Sequence, residues 1–521
     1  MFFSSELISK TKLIRAGQTP KFPSEATTRE YAETLDVQDK LAPLRHDFLI
    51  PTVSSLKKKA LTGTKPQDED SEPSIYLIGN SLGAQPKTVR KYLDAQLETW
   101  ASIGVNGHFT TMENSPLTSW QDMAEDCARK FVPIVGAASS SEVVVMNTLT
   151  VNLHLMLASF YRPTEKRHKI IIEWKPFPSD WYAVQSQIEW HGRSPSTSMI
   201  EVQPDSDSDS GLYLSTKSIL STIDAHADST ALLLLPGIQY YTGQLLDMPL
   251  ITKYAQERGI VVGWDLAHAV GNVELALHDW NVDFAVWCTY KYVNAGPGAI
   301  GGAFVHERHG KVMPASQHVN GNGANGTNGH SHSHGQTAGE MKFTPRLAGW
   351  YGNDKSVRFN MERTFQPTPG AQGWVISNPS AVDLASLSAA LEIFGKTSMK
   401  DLRDKALVIT GYAEFLLNKV LAQTTSDINS NGVNGHDGQK KEEALFKIIT
   451  PANPLERGSQ LSILLADKPG LLEKVSKALE ENGVVCDKRK PNVIRIAPVP
   501  LYCTFFDVWR FVKIFEEAVR G

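Results

Sequence analysis

Four residues of types that carry catalytic chemistry follow two short apolar segments in the middle of the chain. The segment Gly-Ile-Val-Val leads to Asp265 and His268, and the segment Val-Asp-Phe-Ala-Val-Trp leads to Tyr290 and Lys291. Short, β-branched apolar runs of this kind are typical of buried parallel strands. Open α/β sheets bind ligands at the carboxyl ends of such strands. The sequence therefore predicts that an Asp, a His, a Tyr and a Lys meet at one edge of one sheet.

This set of side chains suits the chemistry of pyridoxal phosphate. The amine of Lys291 can form a Schiff base with an aldehyde, and the carboxylate of Asp265 can keep a pyridine nitrogen protonated. Each residue alone has an ordinary interpretation. A lysine after a strand is usually a solvated surface charge, an aspartate there often caps a helix, and His268 alone suggests a core or loop histidine. Only the combination indicates the cofactor.

Longer motifs around these residues resemble kynureninase. They are residues 264–274 (Trp-Asp-Leu-Ala-His-Ala-Val-Gly-Asn-Val-Glu), 278–280 (His-Asp-Trp) and 290–296 (Tyr-Lys-Tyr-Val-Asn-Ala-Gly), and matching segments extend from about Tyr76 to Leu501. That family consists of pyridoxal-phosphate hydrolases with the aspartate-aminotransferase fold. The resemblance implies that pyridoxal 5'-phosphate is the cofactor and that kynurenines are the small-molecule substrates.

The resemblance also implies which residues carry the reaction. Lys291 is expected to bind the cofactor and, once substrate displaces it, to remove the α-proton as a general base. Asp265 is expected to stabilise the protonated ring, and Tyr241 is the candidate general acid. His268 is expected to orient the cofactor's ring substituent or its neighbours, and Tyr290 to contact the cofactor.

A strand followed by a helix is predicted to bind the phosphate. The apolar run 142–146 precedes a helical stretch that starts near Val151, and the N-terminus of a helix attracts anions. Thr148 and Thr150 could cap this helix or contact the anion. By the resemblance, Leu149 and Thr150 contact the phosphate.

A second strand, 169–173, is followed by an aromatic residue, Phe177, and a turn. An aromatic ring in this place can stack on a flat heterocycle or simply pack within the turn. By the resemblance, Phe177 lies over the pyridoxal ring, and Pro178, Ser179 and Asp180 line the site.

Three residues are expected to bind substrate. Ser81 and His108 are assigned by the resemblance alone, because a Gly-Asn-Ser turn and an isolated histidine carry little information. Arg495 interrupts an apolar strand, 493–497, where a charged group needs a partner. Its guanidinium could clamp a carboxylate with two hydrogen bonds or face solvent. The resemblance assigns it to the α-carboxylate of the substrate.

Two residues imply a second subunit, and one position departs from the family. By the resemblance, Trp350 and Asn378 reach the phosphate site of the other subunit, which implies a homodimer with shared active sites. The family often has a serine where this chain has Pro236. Since proline has no hydroxyl, no side-chain contact with the phosphate is expected there.

The implied reaction is the cleavage of L-kynurenine or 3-hydroxy-L-kynurenine to anthranilate or 3-hydroxyanthranilate and L-alanine, in tryptophan catabolism and NAD biosynthesis. Three alternatives stay open. Another pyridoxal-phosphate reaction would use the same Asp265 and Lys291, although Cys288 is a poor candidate for the mobile nucleophile of a desulfurase. A catalytically silent cofactor-binding or assembly protein is the second. A metal-binding protein is the third, and it depends on the His-Ser-His-Ser-His run at 330–334.

Composition limits the possible classes. Lys and Arg number 52 and Asp and Glu 56, a net charge of −4, so nucleic acid is not an expected partner. Four cysteines without metal-ligand spacing fit a reducing compartment. The apolar runs are too short to cross a membrane, and the N-terminus lacks the apolar core of a secretory signal. We therefore expect a cytoplasmic enzyme; a mitochondrial location is the weaker alternative.

The predicted fold class is α/β, with an aspartate-aminotransferase-like large domain, a mainly parallel sheet and a smaller α+β domain. Residues 75–360 form the large domain, 361–521 the small one, and 1–74 join the small domain. Residues 317–340 and 426–438 are rich in Asn and Gly and are predicted to be disordered surface insertions. No metal site is predicted, because the acidic run 203–211 lacks the glycine and distal glutamate of a calcium loop.

Overall fold

The structure is a computed structural model. The residues that it describes are 5–61, 72–205, 211–314, 341–430 and 444–520. The predicted insertion 317–340 lies outside these residues, as do 206–210 of the acidic loop and 431–438 of the second predicted insertion. Residues 426–430 correct the prediction for that insertion, because they continue helix Met399–Ser430. A helix that is already formed over many residues extends at little cost, even through polar sequence.

A seven-stranded sheet forms the framework of the larger part of the molecule. Its strands, in spatial order, are Val143–Val145, Gly302–Val305, Phe284–Trp287, Val261–Asp265, Thr230–Pro236, Lys169–Glu173 and Met199–Val202. Gly302–Val305 is antiparallel to both of its neighbours, and the other neighbouring pairs are parallel. The prediction of a mainly parallel α/β sheet is confirmed.

Helices cover both faces of this sheet. Along strand Val143–Val145, Val143 and Val145 belong to one hydrophobic cluster and Val144 to another, so successive side chains pack on opposite faces. This two-sided burial explains why the strands are continuous apolar runs rather than alternating ones. The α-helices of the described residues are Ser5–Arg15, Arg29–Gln38, Thr88–Ile103, Met123–Val135, Leu149–Phe160, Pro178–Trp190, Pro195–Ser198, Thr216–His226, Met248–Gln256, Glu307–Gly310, Ala381–Phe394, Met399–Ser430, Leu471–Glu481 and Phe505–Arg520.

A four-stranded antiparallel sheet lies in the C-terminal part of the chain. Its strands, in spatial order, are Phe446–Ile448, Leu461–Leu465, Val493–Ile496 and Asp487–Arg489. Strand pairs of two or three residues complete the β-structure of the described chain: Phe48–Leu49 with Gln85–Pro86, Ile75–Tyr76 with Val484–Val485, and Val312–Pro314 with Met341–Phe343.

The N-terminal helices pack on the C-terminal part. The carboxylate of Asp36 accepts hydrogen bonds from the backbone N–H groups of Phe505 (2.6 Å) and Phe506 (3.0 Å), at the start of helix Phe505–Arg520. The indole of Trp509 donates to the carbonyl of Thr27 at 2.9 Å. The division of the chain at residues 74 and 360 stays a prediction.

The strands of the large sheet bring the chemistry-bearing residues to one edge. In the parallel register, Pro236 lies beside Asp265, and Asp265 beside Val286, one residue before the end of its strand. The turn expected at 177–180 is instead the start of helix Pro178–Trp190. Proline at a first helical position explains this, because its missing N–H has no partner to lose there. Among the described residues, no helix has the length and apolarity needed to cross a membrane.

Candidate active site

A cavity of about 190 Å³ opens at the carboxyl ends of the parallel strands. Residues from several strand ends and from two helix N-termini surround it. They are Leu149, Thr150, Glu173, Phe177, Ser179, Asp180, Pro236, Ile238, Tyr240, Asp265, Ala267, His268, Tyr290 and Lys291. Asp265, His268, Tyr290 and Lys291 therefore line a single cavity, at the ends of the two strands that they follow in sequence.

Two aspartates lie together on one side of this cavity. Asp265 ends its strand, is 7% exposed, and accepts a hydrogen bond from the N–H of Ala267 at 2.7 Å. Burial raises the pKa of Asp180 well above its usual range, and the neighbouring Asp265 carboxyl raises it further. One oxygen of Asp180 is buried without a hydrogen-bond partner. The pair can therefore hold a proton and present a carboxylate to a basic ring nitrogen.

Aromatic side chains lie near the amine of Lys291 in the same cavity. Its ammonium nitrogen lies 5.9 Å from the ring centroids of both Phe177 and Tyr290. Phe177 is half-exposed and meets the ring of Tyr240 edge to face at 5.5 Å. An aromatic wall beside an amine is a suitable seat for a flat heterocycle that carries an aldehyde.

The loop that carries Lys291 is fixed from outside the cavity. The N–H of Gly83 donates to the carbonyl of Tyr290 at 2.8 Å, and the N–H of Asn294 donates to the carbonyl of Lys291 at 3.0 Å. A Cβ at residue 83 would collide with the Lys291 carbonyl and the Asn294 amide. Glycine is therefore required for the turn at 79–83 to approach this loop.

His268 is a buried imidazole with an unused nitrogen. It is 6% exposed, its ring lies edge to face with Tyr292 at 6.4 Å, and its Nδ1 has no hydrogen-bond partner. Burial lowers the pKa of His268 well below its usual value, and the positive charges of Lys291 and Arg495 lower it further. A neutral imidazole with a free nitrogen can donate to, or accept from, a polar substituent of a bound ring.

Two helix N-termini provide a seat for a phosphate. Leu149 begins helix Leu149–Phe160 and Pro178 begins helix Pro178–Trp190, and in neither helix does the side chain before the first residue cap the helix. The hydroxyls of Thr150 and Ser179, one from each helix, lie 2.7 Å apart. Uncapped N–H groups and paired hydroxyls at one point favour an anion. With the unpartnered atoms of His268 and Asp180, these groups fit pyridoxal phosphate.

Several predicted residues do not line the cavity. Ser81 is half-buried in the turn 79–83. Pro178 is the first residue of its helix and does not line the cavity. His108 is half-buried with its ring edge to face on Trp120 at 5.0 Å. The remaining predicted residues outside the wall are Tyr241, Trp350, Asn378 and Arg495.

Tyr240 lines the cavity, whereas its neighbour Tyr241 does not. The ring of Tyr241 is 6% exposed and lies under the ammonium group of Lys175, 4.2 Å from the ring centroid. Burial raises the pKa of both tyrosines, so both hydroxyls keep their protons at neutral pH. Adjacent residues in a loop give no periodicity from which the sequence could have assigned one of them to the cavity.

Arg495 is buried and paired rather than facing solvent. It is 1% exposed, its Nη2 forms an ion pair with Asp487, and its Nη1 donates to the carbonyl of Tyr240 at 2.5 Å. Its Nε is buried without a partner. The solvent-facing alternative for Arg495 is therefore wrong, because the strand carries it into the space between the two sheets.

Five lining residues were not predicted as site residues: Glu173, Pro236, Ile238, Tyr240 and Ala267. Glu173 ends an apolar strand, the position from which Asp265 was identified, so the same signal was available for it. Cys288, in contrast, is 3% exposed, and burial raises the pKa of its thiol. A buried thiol of this kind is a poor nucleophile.

Comparisons with known proteins agree with this geometry. Residues 75–368 match the aminotransferase class-V family, and residues 436–515 match the kynureninase C-terminal domain. The chain is 63% identical to "Kynureninase 1" of Neurospora crassa over 99% of this chain and 100% of that protein. It is 57% identical to "Kynureninase 2" of Chaetomium globosum over 99% of each chain, and 54% identical to "Kynureninase" of Pyricularia oryzae over 96% and 97%.

Solved structures share the fold at low sequence identity. The apo cysteine desulfurase of Thermococcus onnurineus NA1 superposes with a TM-score of 0.60 at 14% identity, covering 86% of this chain and 95% of that chain. The cysteine desulfurase CsdA of Escherichia coli superposes with a TM-score of 0.61 at 14% identity, covering 92% and 98%. At this identity the likeness concerns the fold alone.

Proposed function

The chain belongs to the kynureninase family, and on that premise we propose that it is a pyridoxal-phosphate-dependent hydrolase of kynurenines. It cleaves L-kynurenine and 3-hydroxy-L-kynurenine with water to anthranilate or 3-hydroxyanthranilate and L-alanine. The reaction belongs to tryptophan catabolism and de novo NAD biosynthesis in the cytoplasm. The observation that carries the proposal is that Asp265 and Lys291 line one cavity, which also receives two helix N-termini.

The residues of this cavity divide the work between holding the cofactor and moving protons. When bound, pyridoxal phosphate supplies an electron sink for the bonds at the substrate's α-carbon. Asp265, with Asp180 beside it, would keep the pyridine nitrogen protonated. Thr150, Ser179 and the helix N-termini would hold the phosphate. Lys291 would hold the aldehyde group, and its free amine would accept the substrate's α-proton at Nζ.

Arg495 is the proposed site for the substrate's α-carboxylate. Its unpartnered Nε can add a charge-assisted hydrogen bond to those that the guanidinium already makes. Asp487 and the Tyr240 carbonyl hold the guanidinium in place before substrate arrives. Ser81 and His108 are proposed to line the substrate pocket.

Tyr241 is the proposed general acid, and Tyr240 is the alternative that its place in the cavity supports. The two are separated by Tyr241→Phe and Tyr240→Phe variants, each of which removes one hydroxyl and keeps the ring. Loss of a general acid lowers kcat by about 10²- to 10⁴-fold. We expect this loss in Tyr241→Phe; the same loss in Tyr240→Phe alone would transfer the role to Tyr240.

We further propose that two copies of the chain form a homodimer with shared active sites. Three aromatic side chains are exposed: Trp350 (48%), Phe359 (47%) and Phe109 (64%). They form one group, because the ring centroids of Trp350 and Phe359 lie 6.0 Å apart and those of Phe359 and Phe109 lie 5.6 Å apart. An exposed aromatic group of this kind supports an interface. Asn378 is also exposed, and it does not line the cavity of its own chain.

Subunit complementation tests the shared site. One chain carries Lys291→Ala and the other carries Asn378→Ala, so each alone forms defective homodimers. If Asn378 completes the partner's site, a hybrid dimer contains one site with both native residues, and activity returns on mixing or co-expression. No recovery in hybrid dimers of verified composition would reject the shared site.

The hydrolase assignment is tested by product analysis. The purified chain, with bound cofactor, is incubated with L-kynurenine and with 3-hydroxy-L-kynurenine, and L-alanine and the aromatic acid are quantified. We expect equal amounts of both products. Consumption of substrate without alanine, or formation of a keto acid in its place, would overturn the assignment in favour of another reaction at the same cofactor.

A further inference from the structure

The cavity contains more buried carboxyl groups than the proposed cofactor uses. Asp265 and Asp180 lie at the proposed position of the ring nitrogen, and Glu173 is a third carboxyl in the same wall. Glu173 is 1% exposed. Among the described residues that line the cavity, Lys291 is the one lysine or arginine. Neither the cofactor's ring nitrogen nor a second basic side chain of the cavity wall therefore explains why Glu173 is buried there.

Glu173 is joined to a loop through one side-chain amide. The Nε2 of Gln239 donates to both carboxylate oxygens of Glu173, at 3.3 and 3.2 Å, and approaches the carbonyl of Lys175 at 3.1 Å. Its Oε1 accepts from the N–H groups of Tyr241 at 2.7 Å and Thr242 at 2.8 Å. Gln239, itself 2% exposed, therefore connects the carboxyl group to the backbone that carries the two tyrosines.

The same loop is held from the four-stranded sheet. The Nε2 of Gln460 donates to the carbonyl of Tyr240 at 2.9 Å, and the hydroxyl of Ser462 donates to the carbonyl of Tyr241 at 2.7 Å. Arg495 donates to the Tyr240 carbonyl as well. The loop thus lies between the two sheets, with Glu173 as its anchor on the large one.

Glu173 changes its protonation state near pH 8, because its pKa is raised to about 8. Burial is the largest cause, and the nearby Asp265 also raises the pKa. The hydrogen bonds from Gln239 and the charge of Lys175 lower it. Asp180 and Tyr240 also face this group. An ionised carboxylate accepts two hydrogen bonds from Gln239, whereas a protonated carboxyl group loses part of this capacity and gains a donor.

We propose that Glu173 is a positioning residue that, through the amide of Gln239, sets the position of the loop that carries Tyr240 and Tyr241 at the edge of the cavity. This inference rests on the proposed function for its importance to catalysis, but the linkage itself does not depend on the reaction. The ionised form fixes Gln239 in the orientation that caps the N–H groups of Tyr241 and Thr242. The protonated form releases that constraint.

Amide hydrogen exchange of the full chain with bound cofactor, without kynurenine, tests the linkage. Protection factors of Tyr241 and Thr242 are corrected for the intrinsic pH dependence of exchange and followed from pH 6.5 to 9.5. We expect protection to rise about tenfold through a single step near pH 8, since hydrogen bonds to charged groups are the stronger ones. In Glu173→Gln, which cannot ionise, we expect no step.

Glu201→Gln is the matched control, since Glu201 lies beside Ile172 on the neighbouring strand and outside the cavity wall. It should keep the wild-type step. Retention of the step in Glu173→Gln, or its absence from the wild type, would overturn the proposal. If Glu173→Gln fails to fold, Gln239→Leu, which removes the linking amide, must abolish the step instead.

The effect of Glu173 on turnover can be measured separately from its hydrogen-bond link to the loop of Tyr240 and Tyr241. In Glu173→Gln the pH dependence of kcat should lose a component near pH 8 that Glu201→Gln retains. A chain that shows the exchange step but releases no alanine would reject the proposed function and leave the linkage standing. An unchanged pH profile alongside a lost exchange step would show that the tyrosines' placement does not limit turnover.

Discussion

Both ends of the seven-stranded sheet contain buried carboxyl groups and histidines, but these groups are fully hydrogen-bonded at one end and partly unpaired at the other. At the amino end of the parallel strands, Asp283 accepts hydrogen bonds from Val262 N–H at 2.8 Å, Gln256 at 2.9 Å, His309 at 2.7 Å and Arg308 at 2.6 Å. Burial raises its pKa, but these partners outweigh burial, and the pKa of Asp283 is lowered.

Glu142, at the same end, is also fully satisfied. It accepts hydrogen bonds from the N–H groups of Ala138 at 2.8 Å and Glu307 at 2.9 Å and from His278 at 2.9 Å. His278 and His306 stack with their centroids 4.8 Å apart. The three side chains offer ligand atoms within 4.8 Å of one another, a spacing that a metal could use. Two backbone N–H groups and His278 already donate hydrogen bonds to the Glu142 carboxylate.

The carboxyl end is organised differently. There, an oxygen of Asp180 and the Nδ1 of His268 are buried without partners, and burial raises the pKa of Glu173 to about 8. Buried polar groups left unpaired destabilise a fold unless a ligand pairs with them. Whether the buried polar groups have hydrogen-bond partners, rather than which residue types are present, therefore distinguishes the cavity at the carboxyl end from a structural cluster built of similar residues.

Replacing the lysine of the carboxyl end should have the largest effect. Lys291→Ala is expected to lower kcat by about 10³-fold or more, because it removes both the anchor for the cofactor and the base. The absorbance of the lysine-bound cofactor should disappear. Lys311→Ala, an exposed lysine beside the amino end, is the control and should behave as wild type. Near-normal turnover of Lys291→Ala would contradict the assignment.

Matched substitutions of two aspartates should separate activity from stability. Asp265→Asn is expected to lower kcat by roughly 10²- to 10³-fold with little change in the free energy of unfolding. Asp283→Asn removes the charge that pairs with the partly exposed Arg308 and weakens the hydrogen bonds that the buried Asp283 accepts, so it should cost about 3 kcal/mol of unfolding free energy, with kcat retained in the folded fraction. Urea denaturation and steady-state kinetics measure both. An exchange of these phenotypes between the two variants would contradict the assignment of Asp265 to catalysis and Asp283 to stability.

A smaller effect is expected for Glu142→Gln. The amide can replace one acceptor but not the charge, so we expect a loss of about 1–3 kcal/mol in the free energy of unfolding and an unchanged kcat. Metal content, measured by mass spectrometry of the wild type after dialysis, should be substoichiometric. One tightly held ion per chain that is lost in Glu142→Gln would assign the cluster to a metal instead.

The smallest effect is expected in the pH dependence of stability, where the stacked histidines His278 and His306 should contribute with opposite signs. The hydrogen bond to Glu142 raises the pKa of His278, so its stabilisation is present below the unfolded pKa of about 6.5 and is lost as the pH rises through the folded value. Burial lowers the pKa of His306, so its contribution is lost as the pH falls. The destabilisation caused by His278→Asn should therefore shrink from pH 6 to pH 8.5.

His306→Asn supplies the control for that measurement. Its destabilisation should grow over the same pH range, because the neutral imidazole is the form that the fold favours. Parallel trends in the two variants would mean that neither imidazole titrates as its surroundings indicate.

The sequence was sufficient for the sheet and for much of the cavity. Strands ending at Glu173, Asp265 and Trp287 are apolar, β-branched runs, and their carboxyl ends meet because parallel strands of one sheet share an edge. The family resemblance that the motifs around Asp265 and Lys291 indicated is confirmed by the full-length relatives.

The remainder depends on contacts that no local pattern encodes. The role of Glu173 follows from its link to Gln239, 66 residues away. Tyr240 and Tyr241 differ only in which side of a loop each occupies. The burial of Arg495 depends on its pairing with Asp487 from the neighbouring strand. Each of these features depends on tertiary contacts. The sequence identified the residue types, but it could not predict which side chains surround them.

Lys291 and Asp265 are proposed to bind one pyridoxal phosphate at the carboxyl end of the sheet. Borohydride reduction of the purified chain with bound cofactor, followed by proteolysis and mass spectrometry, tests it most directly. We predict one pyridoxyl modification per chain, located on Lys291 and greatly reduced in occupancy in Asp265→Ala. Modification of a different lysine, or of none in a chain that retains cofactor absorbance, would contradict it.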